Sequence, residues 1–188
     1  VTNAIVGGRG TEADSRFSGR RWWWLAAILV VAFGASSFAP RLVNTSGGGP
    51  LLVVIDEATR QPIVSRPVVH GEQIRLEHVH SVTGRRIEEV FVVLDDQRLG
   101  MVSLAFDRHG ANLPTGPEVV GGRSTTYIEK ADGSILVLHH DRPLPAIGMV
   151  VGSPSVDHVL IFEDGDRVRL LDVAEQWSHI EIKVTASP

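Results

Sequence analysis

The sequence predicts an all-β protein, a single β-sandwich or partly open barrel that follows an N-terminal transmembrane helix. Three observations carry this. Beyond Pro50, apolar and polar residues alternate in short runs, the period of a half-buried strand. Dipeptides suited to hairpin loops separate several of these runs: Thr83-Gly84, Asp132-Gly133 and Gly165-Asp166. Ahead of them, Trp22 to Ala39 is uncharged and dominated by Trp, Leu, Ala, Ile, Val and Phe.

The elements follow in order. Residues 1–19 are small and polar and read as a disordered cytoplasmic tail. Residues 20–41 form the expected signal-anchor helix. At a rise of about 1.5 Å per residue, its apolar run nearly spans a hydrocarbon core of about 30 Å. Arg16, Arg20 and Arg21 precede the run and place its start in the cytoplasm, with Trp22, Trp23 and Trp24 at headgroup level. The alternative is a cleaved signal peptide, although Pro40 hinders cleavage after Ala39. Residues 42–50, with "NTSGGGP", form a flexible linker. Residues 51–188 are the extracytoplasmic β-domain. Its expected strands are "LLVVID", "QIRLEHVHSV", "RIEEVFVVLD", "MVSLAFD", "TTYIEK", "SILVLHH", "HVLIFED", "RVRLLDV" and "HIEIKVT". No stretch keeps a helical period, and "LLDVAEQW" has room for a single turn.

Composition narrows the function. A net charge of −4 and the absence of a basic stripe argue against nucleic acid as a partner. With no cysteine, disulfides and thiolate metal sites are excluded, and any divalent metal rests on His, Asp or Glu.

The residues that stand out are polar ones on an apolar face. Ile74, Leu76, His78, His80 and Val82 share one face of their strand, and Ile87, Glu89, Phe91 and Val93 share one face of the next. A loop at Thr83-Gly84 sets His78 opposite Glu89 and His80 opposite Ile87. His158 interrupts a similar face formed by Val156, Leu160 and Phe162. An unpartnered buried imidazole or carboxylate costs roughly 1–3 kcal/mol or more. These groups therefore meet each other or a ligand. A His80–Glu89 pair that only fixes register satisfies the requirement. So does a metal held by His78, His80, Glu89 and His158, and so does a small anionic or polar solute. His139-His140 reads as a strand end with one exposed imidazole and is a minor metal candidate.

Nucleophilic chemistry finds little support. Ser81 and His80 are neighbours in an extended run and diverge, as do Glu88 and Glu89. "GGRSTT" lacks the lysine and spacing of a phosphate-binding loop.

"HSVTGRRIEEV" resembles a His-Ser-Val motif followed by a Glu eight residues after the Ser. "GANLP" resembles the Gly-Ala-Gly-Leu-Pro turn that follows, and "SVDHVLIF" its later strand with a His. Together, over roughly residues 50–185, these motifs are similar to bacterial domain-of-unknown-function family 1850. The resemblance implies a bacterial envelope protein associated with tripartite ATP-independent periplasmic (TRAP) transporters whose receptors are of the TAXI type. It carries no established activity. His80, Ser81, Glu89, Gly110, Leu113, Pro114 and His158 match motif positions, and Asn112 stands where Gly is expected.

The reading is a non-enzymatic, membrane-anchored accessory of solute transport that binds a ligand or docks on a transporter subunit. Its ligand-binding residues are His80, Ser81, Glu89, Gly110, Asn112 and His158. The alternatives are a metal-dependent hydrolase built on the His/Glu cluster and a purely structural envelope domain.

Overall fold

The computed structural model describes residues 41–42 and 49–186. The tail, the apolar run and most of the linker expected from the sequence lie outside these residues. Among the described residues no helix is long and apolar enough to cross a membrane.

Fourteen strands and one 3₁₀ turn make up the described chain. They are β1 (Arg41–Leu42), β2 (Leu51–Asp56), β3 (Pro62–Pro67), β4 (Gln73–Val79), β5 (Arg86–Val93), β6 (Leu99–Phe106) and β7 (Val119–Val120). There follow β8 (Arg123–Ser124), β9 (Thr126–Glu129), β10 (Ile135–Leu144), β11 (Ile147–Val150), β12 (Val159–Phe162) and β13 (Arg167–Arg169). The turn, Leu170–Asp172, leads to β14 (His179–Thr185). The larger sheet has the order β13-β12-β4-β5-β6-β10-β9, the smaller one β1-β3-β2-β14-β11, and β7 and β8 form a separate ribbon. The described chain is all-β, as expected, and neither sheet closes into a barrel.

Alternation puts one apolar face of each sheet into a common core. Leu52, Val54, Ile180 and Ile182 enter it from the smaller sheet, and Ile74, Leu76, Phe91, Leu99 and Val137 from the larger. Each such side chain, fully buried, contributes about 1.5–3 kcal/mol. The outer face of the larger sheet is charged: Glu77 gathers Arg75, Arg86 and Arg167, and Arg75 also reaches Glu88 at 3.6 Å.

The structure corrects the expected strands in three places. β1, β3, β7, β8 and β11 were not expected. Pro62 and Pro67 bound β3 at its ends, where a missing N–H is tolerated, and Gly148 breaks the apolar run of β11. His139-His140 is not a strand end, because β10 continues to Leu144. Between Leu138↔Ser103 and Arg142↔Met101, β10 uses three residues where β6 uses one, with His140 at φ 55° and Asp141 at φ 53°. Finally, β4 and β5 pair Leu76 with Glu89 and His78 with Ile87. The expected register is displaced by two residues. An even displacement keeps every side chain on its face, so His78 and Glu89 still point inward, now as diagonal neighbours.

Candidate functional site

The register shift originates in the hairpin loop. The His80 N–H bonds the Arg85 carbonyl at 2.8 Å, closing a loop of Ser81 to Gly84 in place of the expected two-residue turn. The His80 ring stabilises that loop from within: Nδ1 accepts from the backbone N–H of Val82 at 3.1 Å and of Thr83 at 3.3 Å. Gly84 supplies the left-handed backbone at φ 64°. With Nδ1 an acceptor, Nε2 carries the proton and donates to the Ala111 carbonyl at 3.0 Å.

His80 thus ties the hairpin to the loop that contains "GANLP". Gly110 makes this approach possible, since a Cβ there would lie 2.8 Å from His80 Nε2 and 3.0 Å from Thr83 Cγ2. Asn112 sits at φ 65°, so the turn keeps the left-handed conformation that the expected Gly would adopt.

Behind this clasp lies an open cavity of about 780 Å³, the size of a small-molecule site. Its floor is the inner face of the larger sheet, with His78, Glu89, Leu104, Met101 and Arg142. Asn112, Leu113 and Pro114 cover it from the clasped loop, and Gly152, His158 and Trp177 wall one side.

The family profile described as "Domain of unknown function (DUF1850)" matches residues 74–170. The chain belongs to the DUF1850 family. No curated protein and no solved structure matches it. The match takes in nearly the whole larger sheet and every cavity residue except Trp177.

In this DUF1850 domain the cavity's polar groups are poorly satisfied by the protein itself. The rings of His78 and His158 lie 5.0 Å apart, tilted by 43°. Burial, with His158 and His80 adding to it, pushes the His78 imidazole down to about 4, and its Nδ1 is buried without a hydrogen-bond partner. Burial also lowers His158, against an opposing pull from Asp157. The His158 Nδ1 accepts from the Gly152 N–H at 3.3 Å, which leaves Nε2 to donate. Gly152 is needed there, because a Cβ would stand 2.8 Å from Val156 Cβ and 3.2 Å from His158 Cε1. Glu89 is raised by burial alone, with no cation or donor countering it.

His139, 6% exposed, leaves both ring nitrogens without partners. Burial lowers it, Arg142 adds to that, and Glu118 opposes it. Trp177 stands at the cavity wall, 65% exposed and at φ 72°. A bulky side chain in the left-handed region is strained, and such strain gathers at functional sites.

Of the residues expected from the sequence, the structure brings His78, Glu89 and His158 to the cavity, His158 with its Nδ1 already bonded to the Gly152 N–H. His80 reaches its edge with both ring nitrogens engaged. Ser81 and Asn112 are exposed at the rim, and Gly110 serves the clasp rather than the lining. Among the described residues no group of three or more His, Cys, Asp or Glu is arranged to hold a metal ion. Sequence reasoning missed His139 as a cavity residue, and with it Arg142, Met101 and Trp177. The alternation Ile135, Val137, His139 was a usable signal for the first. The β10 irregularity that turns Arg142 inward has no sequence signature.

Proposed function

We propose that this chain is a binding protein: a membrane-anchored, extracytoplasmic β-domain that holds a small solute in the cavity as an accessory of TRAP-type transport. The observation that carries the binding part is a roomy cavity lined by polar atoms that the fold leaves unpartnered. A buried polar group without a partner costs about 1–3 kcal/mol, and a ligand relieves that cost. The envelope setting is supported by the apolar run Trp22–Ala39 with its preceding arginines, and the transporter association by the family resemblance. The hydrolase alternative draws no support from His80, whose nitrogens are both used by backbone groups.

The test is saturation-transfer NMR on the full chain in mild detergent, with a panel of anionic, neutral and cationic small solutes. Transfer to at least one solute is expected, and its loss in a folded His78→Phe, Arg142→Met double variant. No transfer to any member of the panel would overturn the binding reading. Crosslinking in native membranes tests the transporter association separately, and recovery of no transporter subunit would count against it.

A further inference from the structure

Arg142 is an arginine on the inner face of a sheet. It is cross-strand to Met101, which is cross-strand to the buried Phe91. Its Nε is buried without a partner, and its Nη2 donates to the Met101 sulfur at 3.4 Å, a weak acceptor. A guanidinium seated on a thioether in a cavity wall is a donor set without its acceptor. His139 stands three residues earlier, across the β10 irregularity, and its buried N–H is equally unmet. Both line the cavity, flanking the same irregularity of β10 between Leu138↔Ser103 and Arg142↔Met101.

We propose that the cavity is a monoanion site, in which Arg142 and His139 hold the carboxylate of a small acid whose apolar body lies on Met101, Leu104 and Leu113. The proposal deepens the solute-binding reading and rests on it. One negative charge is specified because Arg142 is the single Arg or Lys among the described cavity residues, whereas Glu89 and Glu118 are acidic. The opposite corner belongs to His78 and Glu89. Strand geometry sets His78 and Arg142 apart by about 13 Å along the strands and about 14 Å across them. A second carboxylate at that corner would meet Glu89, which has no counter-cation. Glu118 is exposed on the cavity lining, and its carbonyl accepts from the Thr125 N–H at 2.8 Å, next to the Leu138↔Thr126 pair that precedes His139, so its charge competes with the bound anion.

Calorimetric titration of the full chain with hexanoate, hexanamide and adipate tests this. Hexanoate is expected to bind about 10-fold more tightly than hexanamide, the contribution of one charge-assisted pair, and more tightly than adipate. Arg142→Gln should bring hexanoate to the hexanamide level and leave hexanamide unchanged. Glu118→Gln, at an exposed position, needs no repacking and should tighten hexanoate about 3-fold by removing a competing charge. Hexanamide binding as well as hexanoate, or a preference that survives in a folded Arg142→Gln chain, would overturn the monoanion site while leaving solute binding intact. If Arg142→Gln does not fold, an unchanged hexanoate affinity in Glu118→Gln overturns it instead. Failure of all three compounds to bind also overturns it, and the solute panel then decides separately whether the cavity binds anything.

Discussion

At the scale of single residues, the histidines divide by what their nitrogens touch. His80 is a structural clasp, His158 is half engaged, and His78 and His139 are open. The clasp predicts that Gly110→Ala, which drives a Cβ against the His80 ring, costs about 1–3 kcal/mol. A lower urea midpoint with an unchanged slope is the expected reading. His78 predicts a pH dependence. Its folded value of about 4 lies below the model-peptide value of 6.5, so between these limits the unfolded chain binds more protons. Stability should therefore rise with pH across that window, and His78→Gln should flatten the rise in a pH series of thermal melts. Glu89 has the opposite sign. Burial raises it, so stability should fall as pH climbs above its ordinary range near 4.5, and Glu89→Gln should remove that fall. The inward direction of His78, Glu89 and His158 was legible in the sequence because strand alternation fixes a face. The engagement of His80 was not, because its Nδ1 bonds depend on the longer hairpin loop and its Nε2 bond on a loop from a distant segment, residues 110–112.

Among the elements, β10 explains most of what the sequence concealed. Alternation reads correctly through Ile135, Val137 and His139, then fails where two consecutive residues adopt the left-handed conformation. That irregularity keeps His139 inward and turns Arg142 inward as well. Asp141→Gly is expected to be tolerated or slightly stabilising, since glycine adopts φ 53° without strain. Asp141→Val should cost about 1–2 kcal/mol and weaken hexanoate binding, because a β-branched residue disfavours the turn that sets Arg142. Melting curves and titration of the two variants distinguish these outcomes. The β4–β5 hairpin gives the complementary lesson. Its faces were legible, but its register was not, because a histidine ring stabilises a longer loop than Thr83-Gly84 suggests. The strands β2 and β14 were readable from sequence because their apolar alternation is regular. The expected strand "RVRLLDV", by contrast, ends at Arg169 and turns into a 3₁₀ turn at Leu170–Asp172, where "LLDVAEQW" had room for one.

For the whole molecule, part of the inner face of the larger sheet floors a polar cavity beside the core. The family match covers the sheet that floors it, and β2, β3 and β14 lie outside that match. On the proposed function, the cavity's polar groups serve a solute rather than the fold. Replacing unpartnered polar groups by apolar ones of similar size is close to neutral for stability when no ligand is present. The most direct measurement is native mass spectrometry of the full chain and of its His78→Phe, His139→Phe variant, each released from its own membrane extract. One small solute should be retained by the wild-type chain and lost from a variant that melts no lower. A bare wild-type chain, or equal retention by both proteins, would contradict the proposed function.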